Sequence, residues 1–216
     1  MKKFFLFDLD GTITDTGKGI MKSAQYALGA FGFPPQTGAQ LRRFVGPPLQ
    51  GSFEGFYGLN PTQAAQAVEK YRERYRTKGV FESPLYPGMG GFLKRLSSKA
   101  TICLATSKPL VFARQILELR EVSCLFTHLA GAELDGTRTD KAEVIAYALE
   151  LLGSPPHGQV VMIGDRRQDI LGAKAQGIES IGVRYGYSEP GELEEAGATW
   201  LAGSVEELEK TCEALL

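Results

Sequence analysis

Several short runs in the chain are apolar from end to end, and stretches of helical period separate most of them. The runs are "FFLF" at 4–7, "TICLA" at 101–105, "CLFTHLA" at 124–130, "VVMIG" at 160–164, "IESIGV" at 178–183 and a weaker "ATWLA" at 198–202. Helix-period segments lie at 88–98, 109–120, 140–152, 167–176 and 203–214. A strand with no polar face must be covered on both sides. Strands of that kind, alternating with helices, predict an α/β fold built on a parallel sheet between two helical layers. Ligands of such sheets gather at the carboxyl ends of the strands.

One region breaks the alternation. No convincing strand follows residue 16 until about 101. Residues 18–32 set Ile20, Ala24, Ala27, Leu28 and Phe31 on one helical face. Residues 61–79 carry a stripe of Ala64, Val68, Tyr71 and Tyr75, with Asn60 as N-cap and Pro61 at the first helical position. The charges of "EKYRERYRTK" in that helix predict a solvated face. The reading is an all-helical insertion over 16–83, with 1–15 and 84–216 forming the α/β core and "PLYPG" (84–88) as the return hinge.

The strand ends carry chemistry. "FFLFDLDGT" leaves its strand with Asp8 and Asp10, two carboxylates that share a strand face and repel each other. Gly11 allows an immediate turn and close backbone approach. Such a group suits a hard cation held by oxygen ligands, although Asp10-Gly11 also reads as an ordinary turn. "VVMIGD" ends in Asp165, with Asp169 about one helical turn on. Asp165 alone reads equally well as a helix cap. "CLATSK" ends in Thr106 and Ser107, whose hydroxyls and neighbouring N–H groups suit either a phosphate or a helix cap. Lys141 opens "KAEVIAYALELL", where a cation opposes the helix dipole and so is not there for helix stability, although a single lysine reads by default as a surface residue.

Composition excludes several alternatives. The formal net charge is −1, with no basic excess for a nucleic-acid partner. No stretch approaches the roughly eighteen apolar residues of a membrane span, and Asp8 and Asp10 cut short the signal-peptide-like start. Cys103, Cys124 and Cys212 form no C-x-x-C pair, which predicts reduced thiols and a cytoplasmic protein. His128 and His157 lack the partners of a zinc site. The first strand-to-helix turn has Asp-Gly-Thr where a dinucleotide fingerprint needs G-x-G-x-x-G. Oligomeric state is not readable.

Together, "DLDGT", "ATS", Lys141 and "GDRRQD" resemble the four motifs of the haloacid dehalogenase superfamily, in its phosphatase branch. The helical insertion resembles a C1-type cap. "FVGPPL", "ELDGTRTDKAEVIAYAL" and "GVRYGY" are similar to the phosphoglycolate-phosphatase-like group, especially its 5′-nucleotidase-like members. The resemblance implies a Rossmann-like core and a Mg²⁺ cofactor, with Asp8 as nucleophile and metal ligand. It implies Asp10 as general acid/base whose main-chain carbonyl also reaches the metal, and Asp165 and Asp169 as metal ligands, Asp169 directly or through water. Gly11, Thr106, Ser107 and Lys141 would hold the phosphoryl group. The implied reaction is hydrolysis of a small phosphate monoester, such as a nucleoside 5′-monophosphate or phosphoglycolate, through an aspartyl-phosphate. A β-phosphoglucomutase-like mutase would use the same aspartates, and a non-catalytic binding protein could keep the fold.

In the insertion, "LRRFVGPP" is the most unusual stretch. Gly46 before two prolines makes a stiff loop, and Arg43 suits a second anionic group on a substrate, although taken alone it reads rather as a solvent arginine beside a structural turn. The insertion is expected to close over the site. Phe44, Phe53, Phe56 and Tyr57 read as packing between its helices. Lys108, in "TSKP", reads equally as a phosphate-side cation or a surface residue.

Overall fold

A computed structural model describes all 216 residues. The chain divides into two compact units, Met1–Asp15 with Leu85–Leu216, and Thr16–Pro84.

The first unit holds a six-stranded, wholly parallel sheet in the order β3-β2-β1-β4-β5-β6. Its strands are β1 (Phe4–Phe7), β2 (Thr101–Pro109), β3 (His128–Ala132), β4 (Val160–Gly164), β5 (Glu179–Val183) and β6 (Trp200–Ala202). β1 is central because its side chains are apolar on both faces. Leu6 packs with Val144, Ile145 and Ala148 on one side. Phe7 meets Phe92 edge-on at 6.1 Å, and Phe126 lies 6.5 Å from it. Burying each such side chain is worth about 1.5–3 kcal/mol, so a strand buried on both faces strongly favours the middle of a sheet. This is a Rossmann-like order. It reverses direction between β1 and β4, which opens a crevice at the strand ends.

The helices of this unit are α5 (Met89–Ser97), α6 (Leu110–Leu119), α7 (Lys141–Leu151), α8 (Arg167–Ala175), α9 (Glu192–Ala196) and α10 (Val205–Leu215). The chain returns at Leu85, which bridges to Thr14, while the Tyr86 N–H donates to the Ile13 carbonyl at 3.2 Å. Two sequence expectations shift here. The run 124–130 begins as a 3-10 turn at Ser123–Leu125, so β3 starts only at His128. β2 continues through Thr106 and Ser107 to Pro109, with an irregularity in its register there.

The second unit contains α1 (Gly17–Ala30), α2 (Gly38–Arg42), α3 (Leu49–Tyr57) and α4 (Pro61–Thr77), followed by a 3-10 turn at Gly79–Phe81. Asn60 caps α4 reciprocally with Gln63. Phe44 packs on Phe53, Phe56 and Tyr57 at centroid distances of 5.0, 5.9 and 5.8 Å; Phe44 and Phe53 are buried in the unit's core, and Phe56 and Tyr57 cover them from its half-buried edge. The charged stretch of α4 is not wholly solvated. Arg74 turns inward to the Ser23 hydroxyl at 3.1 Å and to Glu82 at 3.0 Å.

Candidate active site

The crevice beside β1 collects a group of buried charged residues of the first unit. Asp8 is the residue after β1, and its N–H still joins the ladder through the Ile163 carbonyl at 2.9 Å. Asp165 follows β4 directly. Asp169 lies in the first turn of α8, and its Oδ2 accepts from the Arg166 N–H at 3.0 Å. All three carboxylates are buried, with their ligand atoms within 4.8 Å of one another. Two negative charges at that separation repel by about 3.5 kcal/mol, even at an effective dielectric of about 20.

Glycines make this convergence possible. A Cβ on Gly164 would stand 2.1 Å from the Asp169 carboxyl carbon. One on Gly11, whose φ is +83°, would stand 2.1 Å from Asp165 Oδ2. Gly186 also presses against Asp165, 2.4 Å from an added Cβ to Oδ2. Neither cap reading survives for the strand-end residues. Arg166 is the N-cap of α8, and Asp165 instead accepts from the Tyr187 N–H at 2.7 Å and the Thr12 hydroxyl at 3.5 Å. Pro109 precedes α6, so neither Thr106 nor Ser107 caps it. Thr106 is buried and accepts from the Lys108 N–H at 3.3 Å, whereas Ser107 is only half-buried.

Two ammonium groups answer the carboxylates. Lys141 is the first residue of α7, a helix capped by Asp140 rather than by any favourable charge at Lys141. Its Nζ donates to Asp8 Oδ1 at 2.7 Å and to the Ala105 carbonyl at 3.1 Å. Asp169 Oδ1 lies 2.8 Å from the same Nζ. Lys108, buried at the end of β2, donates to both oxygens of Asp10, at 3.0 and 2.8 Å. It is therefore an interior cation, and the surface reading of Lys108 is excluded. A signal was present in the sequence: on a strand, Lys108 shares a face with Thr106.

Titration reflects the crowding. Burial pushes the Asp8 carboxyl up to about 6; Lys141 pulls against the shift, and Asp169 and Asp10 add to it. Burial, then Asp169 and Asp8, hold Asp165 well above the usual carboxylate range. Burial opposes the charge on Lys141, but Asp169 and Asp8 outweigh it and raise its pKa above the ordinary lysine value.

The donor set suits a divalent metal. Asp169 Oδ1 is buried and ion-paired with the Lys141 ammonium at 2.8 Å. With all four carboxylates ionised, Asp8, Asp10, Asp165 and Asp169 would exceed the two ammonium groups by two negative charges, which a dication would neutralise. Oxygen-only ligands favour a hard ion.

Arg43 and Gly46 belong to the helical unit. The Arg43 guanidinium lies 3.8 Å above the Phe56 ring, and Gly46 takes a φ of +104° ahead of Pro47. Tyr187 and Gly186 were not singled out individually in the sequence, because their contacts with Asp165 come from a loop after β5 that only the fold brings back.

Residues 5–183 match the family model described as haloacid dehalogenase-like hydrolase. The chain belongs to that family. Among its relatives is a 5′-nucleotidase of Pseudomonas aeruginosa, 43% identical over 87% of this chain and 85% of its own length. A protein of Mycobacterium tuberculosis named tyrosine-protein kinase PtkA is 35% identical over 94% of this chain and 70% of its own. Among solved structures, a predicted phosphatase from Clostridium acetobutylicum superposes with a TM-score of 0.95 at 40% identity, covering 99% of both chains. The haloacid dehalogenase-like chain is thus a phosphoric monoester hydrolase with a buried acidic triad that fits a divalent metal.

Proposed function

We propose that this hydrolase is a Mg²⁺-dependent phosphatase of small phosphate monoesters, nucleoside 5′-monophosphates foremost, working through an aspartyl-phosphate on Asp8. The observation that carries the reading is the placement of Lys141 Nζ, 2.7 Å from Asp8 and 2.8 Å from Asp169, where those carboxylates converge with Asp165. A carboxylate nucleophile and a phosphate dianion repel, so a site for their reaction needs concentrated positive charge. Held by Asp8, Asp165, Asp169 and the main-chain carbonyl of Asp10, Mg²⁺ would supply that charge and stabilise the equatorial phosphoryl oxygens.

This chain's residues do the rest. The Asp8 carboxylate attacks phosphorus as the ester P–O bond breaks, and Asp10 gives its proton to the leaving oxygen. Water then attacks the same phosphorus and yields a proton to Asp10, while the bond to Asp8 breaks and inorganic phosphate leaves. Proton transfer of this kind is worth ~10²–10⁴-fold in rate. Lys141 lowers the charge on the nucleophile and, with Thr106 and Ser107 and the turn at Gly11, would hold the phosphoryl oxygens. The helical unit is the candidate C1-type cap, with Arg43 and Gly46 as its candidate specificity residues.

Identity to the Pseudomonas 5′-nucleotidase, 43% over most of both chains, favours a nucleoside monophosphate. A phosphoglycolate phosphatase of Vibrio vulnificus, 29% identical over 95% of this chain, keeps phosphoglycolate as the second candidate. The test is phosphate release over a panel of nucleotides, phosphoglycolate and hexose phosphates, with and without Mg²⁺. Fast Mg²⁺-dependent release from a nucleoside 5′-monophosphate supports the proposal. Turnover of a hexose phosphate only with a bisphosphate activator would make the chain a mutase, and transfer to a tyrosyl acceptor in preference to water would make it a kinase.

A further inference from the structure

Lys108 is a lysine with 6% of its side chain exposed, and its ammonium pairs with a carboxylate. It bonds both oxygens of Asp10, at 3.0 and 2.8 Å, across 98 residues of sequence. The three carboxylates that converge as a metal cluster are Asp8, Asp165 and Asp169; Asp10 is two residues from Asp8 yet outside that group. An unrestrained carboxylate so close to a divalent ion would be drawn to it as a further ligand, and would then be unable to exchange protons with a leaving group. A carboxylate offers about four lone-pair positions, so two N–H donors still leave each oxygen a site for a proton.

We propose that Lys108 is a positioning residue for Asp10: its two-pronged contact holds the Asp10 carboxylate out of the metal cluster and aimed for proton exchange. The proposal rests on the acid/base reading of Asp10 given above. It assigns Lys108 to Asp10 rather than to substrate phosphate. The backbone supports the assignment. β2 runs on past Thr106 to Pro109 with a register irregularity, and Lys108 N–H is tied to the Thr106 hydroxyl at 3.3 Å, so the side chain leaves a fixed strand end.

The experiment compares Lys108→Met, Lys108→Arg, Asp10→Asn and the Lys108→Met/Asp10→Asn double variant, with p-nitrophenyl phosphate and Mg²⁺. This substrate's leaving oxygen departs without protonation, so lost proton transfer falls on the water step and phospho-Asp8 accumulates. Lys108→Met is expected to lower kcat about 100-fold, within the usual range for general acid–base help, with KM changed by less than about threefold. It should trap phospho-Asp8 in quenched samples, as Asp10→Asn is also expected to do. Lys108→Arg should recover roughly tenfold of the loss, and the double variant should be no slower than Asp10→Asn. A raised KM with kcat intact, together with weakened inhibition by inorganic phosphate, would make Lys108 a substrate ligand and overturn the proposal. So would a double variant slowed by the product of the single effects. If Lys108→Met does not fold, the double variant, which leaves no unpaired Asp10 charge, decides by the same comparison. Parental turnover in Asp10→Asn would remove the acid/base reading and this proposal together. Loss in Asp10→Asn beside parental Lys108→Met kinetics would remove this proposal alone.

Discussion

A divalent cation held by the acidic triad would compete with protons for the same carboxylates, so stability should respond to pH in opposite ways with and without metal. Asp8 ionises near 3.8 in an unfolded chain and near 6 in the fold, where burial disfavours its charge. Between those values the native state holds a proton that the unfolded chain has lost. Metal-free stability therefore falls as pH rises through this window and levels off above about 6. A shift of about two units is worth about 3 kcal/mol in full, and roughly half of that lies between about pH 5 and 7. Asp165, also raised, adds in the same direction. The paired carboxylates Glu82 and Glu192 are held below their ordinary value, so they lose stability only at more acidic pH and leave this interval clear.

Urea denaturation in a chelator reads the effect. From about pH 5 to about 7 the midpoint should drop by roughly 0.5 M, for a slope near 2–3 kcal/mol per molar. If Mg²⁺ binds the ionised cluster as proposed, its stabilisation should be large at about pH 7 and shrink towards about pH 5. Asp8→Asn should flatten the metal-free slope to the part that Asp165 supplies. A chelated protein whose midpoint is flat or rises over this interval would refute the reasoning, as would equal stabilisation by Mg²⁺ at both ends.

Other outcomes follow from the same geometry. Gly186→Ala puts a methyl group 2.4 Å from Asp165 Cβ, Asp165 Oδ2 and the Gly11 carbonyl; it should cost about 1–3 kcal/mol in denaturation and raise the Mg²⁺ concentration for half-maximal turnover. Parental values for both would contradict the account of that loop. Of the three thiols only Cys124 is exposed, while burial pushes Cys103 up to about 12 and also raises Cys212. Ellman's reagent near pH 8 should therefore titrate one thiol quickly in the native protein and all three in denaturant. Arg43→Ala should change the ranking of natural substrates more than the rate with p-nitrophenyl phosphate; equal loss on every substrate would count against a specificity role.

The parallel sheet was legible because β1 and β4 are apolar on both faces, a pattern with few alternatives. Asp8, Asp165 and Lys141 were legible as a set because separate strand ends and a helix start each carry a charge, although Asp165 alone also reads as a helix cap. Helix α3 was not legible. "LQGSFEGFY" carries Gly51 and Gly55, poor helix formers, and owes its helix to Phe53 packing on Phe44. β3 was placed too early because Leu125 and Phe126 are apolar for a turn's reasons: Phe126 is needed against Phe7. Lys108 was ambiguous because the partner that explains it lies 98 residues away. The inward turn of Arg74 was hidden in the same way, since its partners Ser23 and Glu82 come from other segments.

The most direct measurement is the site of phosphorylation. Asp10→Asn protein mixed with p-nitrophenyl phosphate and Mg²⁺, quenched in acid and analysed by peptide mass spectrometry, should carry one phosphoryl group on the peptide containing Asp8. The label should disappear in the Asp8→Asn background along with turnover. A label on another residue, or full turnover without Asp8, would contradict the account.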